Sequence, residues 1–165
     1  MTDKEIKEYA KKHEKEMCEH ALMLGNPQGR KIVYVFSDYT CPYCVAAHRK
    51  YVSAIEKDSQ LCVVIKNFPI HGQVSEIPAR ALIAANIQDS AKAAKLDKSL
   101  MADHSWMEGK VLKNIIDLAK NAGLDVIKLQ ADMESKVVNK ELAHVQELVQ
   151  KFGIGGTPFI VAINK

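Results

Sequence analysis

Residues 32–44 read IVYVFSDYTCPYC, and this stretch decides how the chain folds. Its first part is β-branched and aromatic on both faces, which is typical of a strand buried in a parallel sheet. After the cysteines, apolar residues recur at helical spacing as far as Lys57. The sequence therefore predicts a strand that passes into a helix at Cys41 and Cys44.

The first cysteine of the pair is predicted to lie at the helix N-terminus. Unpaired backbone N–H groups and the helix dipole favour a thiolate there, and such positions lower a cysteine pKa from about 8.5 to about 3.5–7.5. Pro42 suits the first helical turn, because its missing N–H would have no partner there. We predict that Cys41 exchanges disulfides and that Cys44, one turn on, resolves the mixed disulfide.

Two other interpretations of the pair stay open. A structural zinc site needs four ligands, and only the segment Cys18-Glu19-His20 offers another nearby pairing. The six histidines of the chain show no metal-binding spacing, so we predict no metal. A purely structural disulfide is the second alternative, although the strand-to-helix context favours redox exchange.

Two further strands are predicted on either side of a long helical stretch. Residues 61–65 and 159–163 are short apolar runs, whereas residues 75–152 carry helical periodicity almost throughout. Because a helix joins the first two strands, we expect these strands to be parallel, with a right-handed connection. The sequence thus predicts an α/β domain.

The start of the chain predicts an amphipathic helix over residues 3–24, with Thr2 or Asp3 as its N-cap. A turn at residues 25–29 should end this helix. The helix need not belong to the core fold, so residues 3–24 are a candidate interface for a homo-oligomer.

The chain resembles the DsbA-like branch of the thioredoxin superfamily. The similarity lies in four stretches: residues 36–44, residues 67–72 with Ser75 and residues 79–81, residues 122–125, and residues 152–159 with its Gly-Thr-Pro. The resemblance implies a thioredoxin-like fold with an inserted helical domain and an extra N-terminal helix. We therefore expect four segments: the N-terminal helix (1–25), a β-α-β half with the cysteine pair (30–74), the helical insertion (75–135) and the remainder of the thioredoxin-like domain (136–165).

The resemblance also implies how substrates bind. Pro158 would be a cis-proline beside the cysteines, and the backbone of Thr157 would pair with an extended substrate strand. Together with Pro42 and Tyr43, these residues form the expected substrate-binding set. A proline that merely opens an edge strand is the alternative for Pro158. Three apolar residues are predicted to lie either on the surface that caps the site or in the core: Ile70, Trp106 and Met107.

The sequence departs from the family in two ways. Many relatives carry a buried acidic residue where this chain has Val35, so water or another group must accept the proton of the resolving thiol. Asp38 is a weak substitute, and we expect it to cap or solvate the turn. The family also continues with a hairpin strand and a final helix after the third strand. Since this chain ends at Lys165, we expect a truncated or shortened form, or an edge covered by the N-terminal helix or another subunit.

Three other residues are predicted to be bystanders. Cys62 lies in a predicted buried strand and should be an inert small hydrophobe. Cys18 could be exposed, without a role. His48 lies one turn beyond Cys44 and could perturb its titration, but a plain surface histidine is the better prediction.

We predict a thiol–disulfide oxidoreductase, an oxidase or isomerase, with no bound organic cofactor. Its expected partners are cysteine-containing or unfolded proteins and a redox partner protein or glutathione. The net charge of +3 is spread along the chain, so we predict no nucleic-acid binding. No apolar run is long enough for membrane insertion.

Two alternatives for function remain, together with two for the location. A glutathione-coupled reductase shares the Pro-Tyr dipeptide but lacks the long helical insertion. The other alternative function is an oligomeric chaperone or binding module with a structural cysteine pair.

Residues 1–19 lack the apolar segment of a secretion signal. The resemblance implies a periplasmic or otherwise extracytoplasmic protein whose signal is absent from this chain, and a cytoplasmic location stays open.

Overall fold

The central strand, β2, spans Lys31–Ser37 in the computed structural model, which describes residues 1–165. It lies between β3 (Leu61–Asn67), which is parallel to it, and β4 (Phe159–Asn164), which is antiparallel. A further strand, β1 (Leu22–Gly25), pairs antiparallel with β3, so the order of the sheet is β1-β3-β2-β4. The three predicted strands and the parallel pair are confirmed.

Eight α-helices accompany the sheet. They are α1 (Asp3–Lys12), α2 (Glu14–Cys18), α3 (Pro42–Lys57), α4 (Gln73–Gln88), α5 (Ser90–Ala102), α6 (Val111–Asn121), α7 (Val126–Met133) and α8 (Lys136–Phe152). A short 3-10 turn, Ser105–Met107, lies between α5 and α6. Helix α3 connects β2 to β3, as the sequence predicts, and the helical stretch after β3 is also confirmed. None of these helices has the length and apolar character needed to cross a membrane.

The prediction of one helix over residues 3–24 is wrong. Thr2 is the N-cap, in a capping box with Glu5, but α1 ends at Lys12 and α2 ends at Cys18. Strand β1 follows, because its backbone can pair with the edge of β3, and this tertiary pairing outweighs local helix propensity. Gly25 closes the strand with a φ of +83°, and a Cβ there would lie 2.4 Å from the carbonyl oxygen of Leu61.

The sheet separates two buried clusters of apolar side chains. Val63 and Ile65 of β3 belong to the cluster with α3 and the helices from α4 to α7, whereas Cys62 and Val64 belong to the cluster with α1 and α8. Successive residues of a strand point to opposite faces, and all seven residues of β3 are buried. Both faces of the strand are therefore covered, as its continuous apolar sequence predicts.

Helix α1 belongs to this core. Ile6 and Ala10 are buried in the second cluster, together with Val161 and Ile163 of β4. The apolar face that suggested an oligomer through residues 3–24 therefore packs within the chain. On its outer side, β4 pairs with no other strand.

Candidate active site

Cys41 caps the N-terminus of α3. Its backbone is extended, with φ −83° and ψ 122°, and Pro42 opens the helix directly after it. The carbonyl oxygen of Cys41 accepts the first helical hydrogen bonds, from the N–H groups of Cys44 and Val45. The sulfur therefore lies beside the positive end of the helix dipole, as the sequence predicts.

The loop before β4 faces this sulfur. The Thr157–Pro158 peptide bond is cis, as the resemblance implied. The Sγ of Cys41 donates a hydrogen bond to the carbonyl oxygen of Thr157 at 3.8 Å. The Thr157 hydroxyl is buried and has no partner while the cysteines are thiols. Hydrogen bonding from the Thr157 side chain favours the thiolate form of either cysteine.

The two cysteines differ in how their sulfurs ionise. Burial alone would raise the pKa of Cys41, but hydrogen bonds from Thr157 and from the backbone of Cys44 outweigh it and lower the pKa. Burial instead raises the pKa of Cys44, which is only 1% exposed. The Sγ of Cys44 accepts a hydrogen bond from the backbone N–H of Asp38 at 3.4 Å. Cys41 is thus the group that forms a thiolate first, and Cys44 holds its proton more tightly.

Asp38 connects the loop before α3 to the start of α4 through hydrogen bonds. Its carboxylate accepts hydrogen bonds from the backbone and hydroxyl of Thr40, the backbone of Ile70 and the hydroxyl of Ser75. The residue is 2% exposed, and His71 lies 3.4 Å away. Asp38 therefore organises the turn, as the sequence predicts, and also connects the active-site loop to the first turn of α4.

A buried polar cluster lies behind Cys44 and was missed in the sequence. The Asp97 carboxylate of α5 accepts hydrogen bonds from the Tyr39 hydroxyl at 2.5 Å and from His48 Nε2 at 3.2 Å. The prediction of a surface His48 is wrong, because the residue is only 8% exposed. Tyr51 follows on the same face of α3, and its hydroxyl is buried without a partner.

One signal in the sequence could have revealed part of this cluster. His48 and Tyr51 follow Cys44 at spacings of four and seven residues, which is the apolar face of an amphipathic helix. A histidine on that face needs a buried partner. Nothing in the sequence around Asp97 identifies it as that partner, because the packing of α5 on α3 is tertiary.

A groove of about 600 Å³ opens between α3 and β4 beside the cysteines. Tyr43, which is 74% exposed, lies at the groove together with Thr157 and Pro158. Most of the other lining is apolar, and Ile160 of β4 contributes a half-exposed side chain. Of the three apolar residues predicted to lie on a capping surface or in the core, Ile70 is exposed and Met107 packs against the core partly buried. Trp106 belongs to the core and donates its Nε1–H to the Leu100 carbonyl oxygen.

The remaining cysteines lie away from the site. All four cysteines are free thiols. Burial raises the pKa of Cys62 to about 11 and also raises the pKa of Cys18. Cys18 and Cys62 are therefore poor nucleophiles near neutral pH.

The chain contains no cluster of three or more histidine, cysteine or acidic side chains arranged to hold a metal.

Comparisons with known proteins show the family and the fold of the chain. The family model described as Thioredoxin matches residues 18–165. A thioredoxin-like oxidoreductase from Silicibacter pomeroyi DSS-3 is 34% identical, with a TM-score of 0.79 over 89% of this chain and 82% of that one. No curated protein matches the chain.

Two more distant structures share the fold. The catalytic domain of Proteus mirabilis ScsC is 24% identical, with a TM-score of 0.81 over 94% of this chain and 85% of that one. The thiol-disulfide exchange protein alpha-DsbA2 from Wolbachia pipientis is 21% identical, with a TM-score of 0.83 over 99% of this chain and 87% of that one.

Proposed function

The chain belongs to the thioredoxin superfamily, and from that premise we propose that it is a thiol–disulfide oxidoreductase that acts on protein substrates through Cys41 and Cys44. The observation that carries the proposal is the asymmetry of the two sulfurs. One caps a helix and has a lowered pKa, and the other is buried with a raised pKa. A nucleophile and a resolving thiol need this difference.

The reaction follows from that asymmetry. The Cys41 thiolate attacks one sulfur of a substrate disulfide, and the other substrate sulfur leaves and takes a proton. Cys44 loses its proton and attacks Cys41 Sγ, so the mixed disulfide breaks and the second substrate thiol departs. Two electrons pass from the cysteine pair to the substrate, and the reverse sequence oxidises a substrate dithiol.

We propose disulfide donation as the favoured direction. Hydrogen bonds that stabilise the Cys41 thiolate stabilise the reduced protein, and a stabilised reduced form makes a dithiol pair more oxidising. An isomerase needs a less oxidising pair. Equilibration in glutathione buffers, followed by alkylation of Cys41, measures the potential and separates the two activities.

Substrate binding is proposed for the loop that faces Cys41. The backbone of Thr157 lies beside the sulfur, and the edge of β4 that follows it is unpaired. An extended substrate segment can add its backbone hydrogen bonds there. Pro42, Tyr43 and Pro158 would contact the side chains around the substrate cysteine. The substrates we propose are cysteine-containing or unfolded proteins, with a redox partner protein or glutathione restoring the pair.

The proposed location is extracytoplasmic, because a disulfide donor works in an oxidising compartment. A similar structure from Salmonella enterica serovar Typhimurium is a periplasmic thioredoxin-like protein, 20% identical to this chain.

One experiment tests the proposed activity. Reduction of insulin and oxidative refolding of a reduced substrate are measured for the wild type, Cys41→Ser and Cys62→Ala. We expect Cys41→Ser to abolish both activities and Cys62→Ala to retain them, because Cys62 is buried away from the site. Unchanged activity in Cys41→Ser would contradict the proposal and favour a binding module with a structural cysteine pair.

A further inference from the structure

The resolving thiol needs a group that accepts its proton. Cys44 is buried, and burial raises its pKa, so at neutral pH it enters the resolving step as a thiol. Val35 of the neighbouring strand is apolar and fully buried, and it can accept nothing. The proton must therefore leave to water or through another polar group; the Ser37 and Thr157 hydroxyls act on Cys44 as donors that favour its thiolate.

Asp38 is a poor acceptor, although it is the nearest carboxylate in sequence. Both of its oxygens already accept two hydrogen bonds, from Thr40 on one oxygen and from Ile70 and Ser75 on the other. A carboxylate that accepts several hydrogen bonds is stabilised as the anion and loses basicity. The backbone N–H of Asp38 also donates to Cys44 Sγ, so this residue contributes a donor on that side.

Tyr51 lies on the other side of Cys44. The two residues are two turns apart on the buried face of α3, and the long side chain of a helical tyrosine leans back toward the helix N-terminus. The Tyr51 hydroxyl is buried and has no hydrogen-bond partner. The Tyr51 ring contacts the ring of His48, which is bonded to Asp97. The buried residues of α3 are Cys44, His48 and Tyr51. A buried hydroxyl without a partner costs stability, so its presence there calls for a role.

Asp97 and His48 continue the path from that hydroxyl. Each oxygen of Asp97 accepts one hydrogen bond, from Tyr39 or from His48, and keeps capacity for another. The rings of His48 and Tyr51 touch edge to face, with centroids 5.2 Å apart. The His48 side chain is 11% exposed, so the histidine connects the buried carboxylate to solvent.

Few other charged groups face this path, although Lys50 lines the groove together with Tyr51. The titratable side chains that face Asp97 are Tyr39, His48 and Tyr51, and Cys44 also faces Cys41 and Asp38. Helices α4 and α6 and strand β1 pack against α5, and their buried side chains are apolar except Ser75, which is bonded to Asp38. Burial and the charge of Asp97 raise the pKa of Tyr39, which therefore stays a donor.

We propose that the Tyr51 hydroxyl passes the proton of Cys44 to the buried Asp97–His48 pair during the resolving step. The inference rests on the proposed function. The Cys44 thiol gives its proton to the Tyr51 oxygen as the Tyr51 O–H gives its own to Asp97. Asp97 then gives that proton to water on the side where His48 is partly exposed. The Cys44 thiolate attacks Cys41 Sγ, the bond from Cys41 to the substrate sulfur breaks, and the substrate thiolate takes a proton from water.

The test separates the two chemical steps of the cysteine pair. The full chain carrying Cys18→Ala is reduced and mixed with one equivalent of 5,5′-dithiobis(2-nitrobenzoate), whose thiolate product is coloured. The first release of colour reports the attack by Cys41, and the second reports the attack by Cys44. Both rates are measured from pH 5 to pH 9 for Tyr51→Phe and for Asp97→Asn.

We expect the second release to slow by about tenfold or more at pH 7 in both variants and its pH dependence to move to higher pH. The first release should be unchanged. Asp97→Glu should restore part of the rate. Tyr51→Phe removes a hydroxyl that makes no hydrogen bond, so a merely structural role predicts unchanged rates and equal or higher stability. This variant therefore decides the question even if Asp97→Asn fails to fold.

Tyr34→Phe is the matched control, because Tyr34 is fully buried and its hydroxyl contacts Cys18 on the other face of the sheet. Equal rates of second release in Tyr51→Phe and Tyr34→Phe across the pH range would overturn the inference. Absence of a fast first release in the parent chain would overturn the proposed function instead.

Discussion

The carbonyl oxygen of Thr157 lies 3.8 Å from the Sγ of Cys41, although 116 residues separate them in the chain. The same threonine holds a buried hydroxyl that has no partner beside the thiol. Thr157 thus offers an acceptor to the Cys41 thiol and a donor to its thiolate. Since the hydroxyl is already buried, ionisation gains a hydrogen bond without a further desolvation cost.

Thr157→Val tests this donor, because valine keeps the shape of threonine without the hydroxyl. We expect the pKa of Cys41 to rise, and its alkylation by iodoacetamide at pH 7 to slow about tenfold, as loss of one hydrogen bond to a charged group implies. Thr157→Ser keeps the hydroxyl and serves as the control. Equal alkylation rates in Thr157→Val and the wild type would show that the hydroxyl does not stabilise the thiolate.

The lowered pKa of Cys41 also has a consequence for stability. The folded reduced protein loses the Cys41 proton at lower pH than the unfolded chain does. Its free energy of unfolding should therefore increase, relative to Cys41→Ser, as the pH rises through the folded pKa. The increase should end near the ordinary cysteine pKa of about 8.5. Urea titrations of both reduced proteins at a series of pH values measure this difference, and a constant difference would contradict the expectation.

The chemistry of the site could be predicted further from sequence than its surroundings. Cys41 and Pro42 follow a strand directly, so local rules of helix capping suffice to predict a reactive sulfur. Thr157 and Pro158 could be assigned to the site only through the resemblance to a family, because no local rule brings residues this distant in the chain together. Neither a local rule nor the resemblance to a family identified Asp97.

The N-terminal segment shows why the rest of the fold was harder. The apolar spacing over residues 3–24 fits a helix, and α1 follows it with Ile6 and Ala10 buried. Leu24 fits the same helical pattern, but it lies in β1 opposite Val63. The backbone pairing that β3 offers is a tertiary interaction, and it has no trace in a local window of sequence.

Asp38→Asn tests the link between the active-site loop and α4. An asparagine has one acceptor oxygen, so either Thr40 or the pair of Ile70 and Ser75 would face an amide donor. We expect the free energy of unfolding to fall by about 2–3 kcal/mol. Asp103→Asn is the control, since Asp103 accepts the Ser105 backbone N–H at an exposed position. Equal stability of the two variants would show that the network around Asp38 contributes little.

Tyr43→Ala tests the proposed substrate surface. The side chain is 74% exposed, so its loss should change the free energy of unfolding by less than about 0.5 kcal/mol. We expect a higher KM for a protein substrate and an unchanged rate with a small disulfide, because only the larger substrate reaches the groove. Ile127→Ala, on an 81% exposed residue of α7, is the control. The idea fails if the two variants have the same KM for the protein substrate.

The buried ion pair of Lys66 and Glu141 should support the fold and leave the chemistry untouched. Lys66 Nζ is fully buried, lies 3.0 Å from Glu141 and also donates to the Met17 carbonyl oxygen. Glu141→Gln leaves the ammonium without a counter-charge, and we expect a loss of about 3–5 kcal/mol in urea unfolding. Replacing both residues, as Lys66→Met with Glu141→Leu, removes the buried charges together and should restore most of the stability. Lys113→Ala breaks an exposed pair with Asp117 and should cost less than about 1 kcal/mol.

The Lys66–Glu141 pair lies across the sheet from the cysteines, so folded Glu141→Gln should react with a small disulfide at the wild-type rate. A slower reaction in the folded variant would mean that the two faces of the sheet are coupled.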